Sequence, residues 1–344
     1  MLSGLRVVEL TDPSGWLAGR MLADLGADVT LVTDPSLRET FPYAWAAFNA
    51  GKHLADDDDS LLRSADVVIE TGITDRYENL GDPRVIWCAI TPFGRSGPKA
   101  AWRASDLSVQ AQSGVMYMTG DADRAPVSSS APTSWHHGCA DAVAGIMAAL
   151  LQREKTGRGQ LVDVSMQEAH LMAAMSRVGQ WSLMQSRGKR AGALMRVGTT
   201  VQRAIWPCKD GFVSFGLRGG PARIPGLKRL VAWMNEEQLA PSSLKERDWD
   251  AYNHNLLSQE EVDAISEPIA AFFLTKTMTE LYDAALARGL MLAPANTARE
   301  ILASRQYASR DLFVEADDPA LGTVPLVRSF VVSDAVPGAR EAAP

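Results

Sequence analysis

Short apolar runs alternate with helix-like stretches along the first part of the chain. Residues 5–10 form an apolar run typical of a buried strand, and residues 11–15 have the composition of a turn. Residues 16–25 follow with the spacing of a helix that Gly26 terminates, and residues 28–32 form a second apolar run. This order predicts two parallel strands joined by a right-handed helical crossover.

The same alternation continues downstream. Residues 65–71 and 84–90 are predicted to be two more buried strands, and the four acids at 56–59 are interpreted as a charged loop that leads into a helix N-terminus. An apolar helix over 145–151 is predicted to end in a basic, glycine-containing turn, and residues 160–165 form a further strand. Alternating strands and helices favour an α/β fold with an open parallel sheet.

A stripe of small side chains marks one face of this helix if it begins near residue 135. Its members lie three or four residues apart and are Gly138, Ala142, Gly145 and Ala149. Small side chains let a neighbouring element come close, so the stripe most simply indicates tight packing of the helix.

A second region begins near residue 199. Residues 205–215 are predicted to be a hairpin with Lys-Asp-Gly at its turn, and amphipathic segments follow around 225–240, 259–273 and 278–289. The pattern predicts a large domain over 1–198 and a smaller α/β domain over 199–310. The C-terminal segment, about 311–344, would be able to pack back on the large domain.

Composition and charge restrict the classes of function. A net charge of −7 argues against nucleic acid as a general partner. Three widely separated cysteines without CxxC spacing support neither a disulfide scaffold nor a zinc site, and we expect no metal. No Walker loop occurs, and no GxGxxG follows the first strand. Without a signal pattern or an apolar run of membrane-spanning length, we expect a cytoplasmic protein and no membrane partner.

Several sequence blocks, in the right order, resemble the family III CoA-transferases of the CaiB/BaiF type. The matching blocks are residues 4–29, 91–98, 119–120, 145–169 and 294–301. The resemblance covers nearly the whole chain. It implies a Rossmann-like large domain with a parallel sheet, a smaller α/β domain and two subunits interlocked as rings. The implied substrates are a CoA thioester and a carboxylic acid.

The resemblance also assigns positions that contact coenzyme A. These positions are Ser14, Gly15, Thr91, Pro92, Phe93, Gly94, Arg95 and Arg103. The cations of Arg95, Lys99 and Arg103 could bind the phosphates of CoA. Solvated cations on a surface loop are an equally weighted alternative.

The family mechanism needs an aspartate nucleophile, and Trp135 stands at that position in this chain. Spacing to Gly145 on one side and to Thr119-Gly120 on the other gives the same placement. In the family, the carboxylate attacks the thioester to form a mixed anhydride, and CoA thiolate then attacks the anhydride. An indole cannot act as this nucleophile.

His137 and Asp141 are the candidate catalytic residues that remain on this helix. Their i, i+4 spacing places them on one face, where they could pair as a general base. A structural hydrogen bond near the start of the helix is the simpler interpretation. The racemase branch of the family is disfavoured, because Ser105 and Trp135 occupy the positions of its acid–base groups.

Three functional hypotheses follow. The leading one is a CoA-transferase subunit that works with an aspartate-bearing partner, similar to two-subunit members such as the benzylsuccinate type. The expected assembly is a homodimer or a heteromer with an aspartate-bearing family III subunit. The second is a catalytically silent CoA-ester-binding protein of the same fold. The third is an acyl-CoA enzyme that uses His137 and Asp141 for proton transfer or hydrolysis.

Overall fold

A computed structural model describes residues 1–74 and 76–332 of the chain. The end of the segment that was expected to pack back, residues 333–344, lies outside this range. Among the described residues, no helix combines the length and apolarity needed to cross a membrane. The strands are β1 (Arg6–Leu10), β2 (Asp28–Leu31), β3 (His53–Leu54), β4 (Val67–Thr71), β5 (Ile86–Thr91), β6 (Leu161–Ser165), β7 (Leu194–Val197), β8 (Thr200–Arg203), β9 (Ile205–Pro207), β10 (Phe212–Phe215), β11 (Leu292–Pro294), β12 (Phe313–Asp318) and β13 (Gly322–Val327).

The helices occupy the intervening segments, with short 3₁₀ turns at Met116–Met118 and Met172–Ala174. They are α1 (Trp16–Asp24), α2 (Leu37–Thr40), α3 (Pro42–Asn49), α4 (Asp59–Ser64), α5 (Arg76–Leu80), α6 (Asp106–Gln112), α7 (Thr133–Thr156), α8 (Met166–Leu171), α9 (Met175–Met184), α10 (Ile224–Glu236), α11 (Ser242–Lys245), α12 (Gln259–Leu274), α13 (Met278–Arg288), α14 (Ala298–Leu302) and α15 (Arg305–Ser309).

The predicted parallel sheet is confirmed. Its six strands have the order β3-β2-β1-β4-β5-β6, and every pair is parallel. The chain winds outward in one direction from β1 and then in the other from β4. In such doubly wound sheets, ligands bind outside the carboxyl ends of the strands where the winding reverses. The crevice between β1 and β4 is therefore the expected ligand position.

Helix α7 covers the sheet and begins at its carboxyl edge. It starts twelve residues before the predicted 145, at Thr133, and ends at Thr156. Gly157 caps it, with a φ of +71° in the left-handed region. The small-residue stripe does permit close packing. A Cβ on Gly145 would lie 2.7 Å from Val162 Cγ1 of β6, and a Cβ on Gly138 would lie 3.0 Å from Met166 Cγ. Larger side chains would push the helix away from the sheet.

The acidic run at 56–59 leads into a helix as predicted. The Asp58 carboxylate accepts a hydrogen bond from the Ser60 backbone N–H at 3.0 Å and thereby caps α4. The predicted hairpin at 205–215 is also confirmed as the antiparallel pair β9–β10.

The chain divides into two compact units. The first comprises residues 1–118, 127–188 and the described residues from 304 onward, whereas the second comprises 119–126 and 189–303. The domains expected from the sequence, 1–198 and 199–310, differ from these units at residues 119–126, 189–198 and 304–310. Within the second unit, β9, β10 and β11 form an antiparallel sheet, and Trp206 and Phe273 lie in its core.

The C-terminal hairpin β12–β13 belongs to the first unit. Arg38 Nη2 lies 3.1 Å from Asp318 Oδ2, and Arg20 Nη2 donates a hydrogen bond of 3.0 Å to the carbonyl of Val327. These contacts fix the returning chain to α1 and α2.

A buried ion pair lies beneath the β1–α1 turn. Lys52 Nζ is 2.7 Å from Glu9 Oε2, and both side chains have 0% exposure. Lys52 also donates hydrogen bonds to Asn49 Oδ1 at 2.9 Å and to the carbonyl of Trp16 at 2.8 Å. Gly19 makes room for this pair, because a Cβ there would lie 1.8 Å from Glu9 Oε2. The pair joins β1, α1 and α3 at the carboxyl edge of the sheet.

Replacing Lys52 with methionine is expected to lower the free energy of unfolding by about 3–5 kcal/mol, because it leaves the Glu9 carboxylate buried without a counter-charge. Chemical denaturation followed by circular dichroism measures the change. The matched control is Lys228→Met, which removes the exposed pair with Asp250 and should cost at most about 1 kcal/mol. Similar losses in the two variants would contradict a special role for the buried pair.

Candidate functional site

The turn after β1 occupies the crevice where the winding of the sheet reverses. The Asp12 backbone N–H donates to Thr71 Oγ1 of β4 at 2.9 Å, and the Asp12 carboxylate accepts from the backbone N–H of Ser14, also at 2.9 Å. Gly15 fits closely, because a Cβ would lie 2.6 Å from Thr71 Cγ2. The predicted Ser14 and Gly15 therefore lie together at the carboxyl edge, held in place by the neighbouring strand.

The loop after β5 forms the second element of the site. Thr91 Oγ1 accepts a hydrogen bond of 2.8 Å from the N–H of Gly94, whose φ of +87° favours glycine. The Pro92 carbonyl accepts a hydrogen bond of 3.0 Å from the N–H of Gln167 at the start of α8. The loop is thus tied at two points and presents a fixed backbone at the carboxyl edge.

Arg95 has a charged partner inside the protein. Its Nη1 lies 3.1 Å from Glu70 Oε1, and Glu70 is nearly fully buried at the end of β4. The Arg95 backbone N–H lies 3.1 Å from each carboxylate oxygen of Asp163. The guanidinium that was predicted to bind a phosphate therefore neutralises a buried carboxylate.

An aromatic and basic cluster follows on the same loop. Phe93 and Trp102 meet edge to face with ring centroids 6.4 Å apart, and Lys99 Nζ lies 5.4 Å from the Phe93 ring centre and 5.7 Å from that of Trp102. Trp102 is 56% exposed. The exposed side chain of Arg103 makes no ion pair with any described residue. Exposed aromatic rings beside cations suit a ligand that carries both a nucleobase and phosphates.

Asp106 fixes the start of α7. Its Oδ1 accepts hydrogen bonds from the backbone N–H of Ser134 at 3.0 Å and from Ser134 Oγ at 2.6 Å, and its Oδ2 accepts from Gln110 Nε2 at 2.5 Å. Trp135, the next residue, is partly buried and packs against the main core of the first unit. The indole thus occupies the first turn of α7 as a packing group.

Cys139 lies one turn further along α7 and contacts the crevice. Its Sγ is 3.3 Å from the carbonyl of Ser14 and 3.6 Å from that of Gly15. Burial raises the pKa of this thiol to about 12. A thiol that stays protonated at neutral pH is a poor nucleophile.

The expected contact between His137 and Asp141 is not formed; the structure pairs His137 with another residue. His137 Nδ1 lies 3.1 Å from Nδ1 of His170, which is on α8 and is only 2% exposed. Asp141 is exposed and makes no hydrogen bond or ion pair with a described residue. Burial lowers the pKa of His170, and burial also lowers that of the neighbouring His136. Although Asp141 lies four residues along the same helix, His137 contacts a histidine from another helix.

The comparisons with known proteins decide the family. The model of CoA-transferase family III matches residues 2–344. The chain belongs to this family. A succinyl-CoA:(R)-benzylsuccinate CoA-transferase subunit, BbsE, from Thauera aromatica is 28% identical over 93% of this chain and 85% of its own length. A succinate–glutarate CoA-transferase from Agrobacterium fabrum is 27% identical over 98% of this chain and 90% of its own length.

Solved structures have the same fold. The crystal structure of a CaiB/BaiF family protein from Brucella suis superposes with a TM-score of 0.80 at 24% identity, over 97% of this chain and 92% of that one. The family model shows the family of this chain, and the solved structure shows that the fold is shared. The substrates that the family's name implies are CoA thioesters.

Several residues of this candidate site were missed by sequence reasoning. Glu70, Asp163 and His170 are partners of predicted residues, and Trp102 extends the aromatic cluster. Glu70 is an acid near the end of an otherwise apolar strand, and this position in the sequence could have indicated a side chain of the site. His170 had no such signal, because its partner is 33 residues away. Within the described part of the chain, no group of three or more potential ligands is arranged to hold a metal.

Arg95→Met is expected to lower the free energy of unfolding by about 3 kcal/mol, because Glu70 then remains buried without its cation. Arg103→Met, the control on the same loop, should change it by less than about 0.5 kcal/mol. Urea unfolding of both variants measures the difference. Equal stabilities would show that the Arg95–Glu70 pair is dispensable.

Gly15→Ala is expected to destabilise the first unit by about 1–3 kcal/mol, because the new methyl group overlaps Thr71 Cγ2. Gly179 in α9 is the matched control, since nothing lies within 4 Å of a Cβ built there. Gly179→Ala should be neutral or stabilising by up to about 1 kcal/mol. The melting temperature should fall in Gly15→Ala and should stay unchanged or rise in Gly179→Ala, and an equal fall in both would contradict the close fit at Gly15.

Proposed function

We propose that this chain is a CoA-transferase subunit that binds a CoA thioester and works with a partner that carries the aspartate nucleophile. The observation that carries the proposal is Trp135. It stands on the first turn of α7, next to the Asp106-anchored Ser134, and packs as an apolar group against the core. Its residue type excludes attack on a thioester, while the surrounding fold is that of the family.

One of the relatives supports a two-subunit assembly. The Thauera aromatica protein is named as one subunit of a succinyl-CoA:(R)-benzylsuccinate CoA-transferase, and this chain matches 85% of its length. In a two-subunit enzyme, one subunit can keep the family fold and bind substrate without carrying the nucleophile itself. We infer a heteromer with an aspartate-bearing family III subunit.

Binding of CoA is assigned to the carboxyl edge of the parallel sheet in the first unit. The fixed backbone at Ser14, Gly15 and Thr91–Gly94 forms the floor, and Arg103 offers a cation without a described ion-pair partner. Arg95 is assigned an indirect role, because it neutralises Glu70 below the loop. Trp102 and Phe93 supply rings for the base of the nucleotide.

In the proposed cycle, the partner's carboxylate attacks the thioester carbonyl and CoA leaves as the thiolate. The acyl group is then held as a mixed anhydride on the partner. The CoA thiolate attacks the anhydride at the carbonyl derived from the enzyme, which releases the first acid and leaves an enzyme–CoA thioester. The acceptor acid reverses these steps. This chain contributes CoA contacts and excludes water.

The test is CoA exchange measured by mass spectrometry. The purified chain, supplied with succinyl-CoA and a free dicarboxylate, is expected to show no exchange and no covalent CoA adduct. Addition of an aspartate-bearing family III homologue that binds it should give exchange, with the adduct on the homologue. The control is the homologue alone.

Exchange by the lone chain would overturn the proposal, and the modified residue would identify its nucleophile. If CoA binds but the mixture shows no more exchange than the homologue alone, the chain is a silent CoA-ester binder instead.

A further inference from the structure

The His137–His170 contact has a feature that the proposed function does not use. The two δ nitrogens lie 3.1 Å apart, and the rings are tilted by 39° with centroids 5.1 Å apart. A contact of this length holds one proton between two nitrogens, because each neutral imidazole has one donor and one acceptor. The proton therefore belongs either to His170 or to His137.

The burial of His170 distinguishes between these two arrangements. Its second nitrogen, Nε2, is buried and has no hydrogen-bond partner among the described residues. If His137 donated, His170 would carry its proton on Nε2 as an orphaned buried donor. If His170 donates through Nδ1, Nε2 is only an unused acceptor. Orphaned buried N–H groups are the rarer of the two in folded proteins, so the second arrangement is favoured.

The position of His137 gives this tautomer a consequence. His137 is an exposed residue near the start of α7, and Nδ1 makes its one hydrogen bond to a described residue. With Nδ1 accepting, the neutral ring must carry its proton on Nε2. The ring is then held by His170 in one orientation, as a neutral hydrogen-bond donor near the carboxyl edge of the sheet.

We propose that His170 is a positioning residue that fixes His137 as the Nε2–H tautomer, and that His137 donates this hydrogen bond to an oxygen of the acyl group of a bound CoA thioester. The proposal rests on the proposed function for the ligand but not for the tautomer. It replaces the His137–Asp141 pair with His137–His170. No proton leaves the pair during binding.

The tautomer is tested directly by nitrogen NMR of the histidine-labelled full chain without ligand. The chain has five histidines, and single histidine-to-asparagine variants assign their signals. We expect an unprotonated Nδ1 and a protonated Nε2 on His137, with the reverse on His170. The His137 pattern should be lost in His170→Leu. A protonated Nδ1 on His137, or a pattern that is independent of His170, would overturn the proposal.

The ligand contact is tested by calorimetric titration with succinyl-CoA and with free CoA. His170→Leu and His137→Leu should bind succinyl-CoA about threefold to tenfold more weakly, the range expected for one lost hydrogen bond. Both should bind free CoA as the wild type does. His137→Gln, which keeps a donor, and His170→Asn, which can still donate to His137, should restore most of the affinity. Asp141→Asn is the matched control and should bind like the wild type.

The outcomes separate this proposal from the proposed function. Equal loss of affinity for CoA and succinyl-CoA would indicate a purely structural pair and overturn the acyl contact. A loss in Asp141→Asn equal to that in His170→Leu would overturn the replacement of one pair by the other. A wild-type protein that binds neither ligand would overturn both the proposed function and the acyl contact, and the NMR result would still decide the tautomer.

Discussion

The buried ion pair of Glu9 and Lys52 is the interaction on which the carboxyl edge of the parallel sheet in the first unit depends. Taking two charges out of water is costly, and the cost is offset only when both partners keep close geometry and further hydrogen bonds. Lys52 satisfies this condition through Asn49 and the Trp16 carbonyl. Those contacts fix the beginning of α1 and the end of α3 together. The turn that carries Ser14 and Gly15 leads directly into α1 and is held on its other side by Thr71 of β4.

Close packing of α7 fixes the rest of the site in place as well. Gly138 and Gly145 bring the helix against Met166 and Val162, and Cys139 reaches the turn at Ser14. The helix start is fixed independently by Asp106. Side chains in the first turns of α7 are therefore placed by backbone contacts on both sides, whichever residue occupies position 135. Trp135 is accommodated there as a partly buried packing group.

Most of the fold could be predicted because its signals are local. The strands β1, β4, β5 and β6 are apolar runs, and Gly157 ends α7 where the sequence places a break. The side-chain partners could not be predicted in the same way. Arg95 pairs with Glu70, 25 residues earlier, and His137 with His170, 33 residues later. Such contacts depend on which strands and helices become neighbours, and spacing along one helix carries no information about them.

The attachment of the C-terminal hairpin also affects how the chain acquires its structure. The hydrogen bond from Arg20 to Val327 joins residues 307 positions apart, and residues 189–303 form a separate unit between them. Contacts of such high sequence separation slow folding, because the intervening chain must be ordered before they are gained. During synthesis, the first unit is made almost entirely before its last segment leaves the ribosome. Its α1–α3 surface therefore remains uncovered until the β12–β13 hairpin has been synthesised, and transiently exposed surface of this kind favours aggregation of a nascent chain.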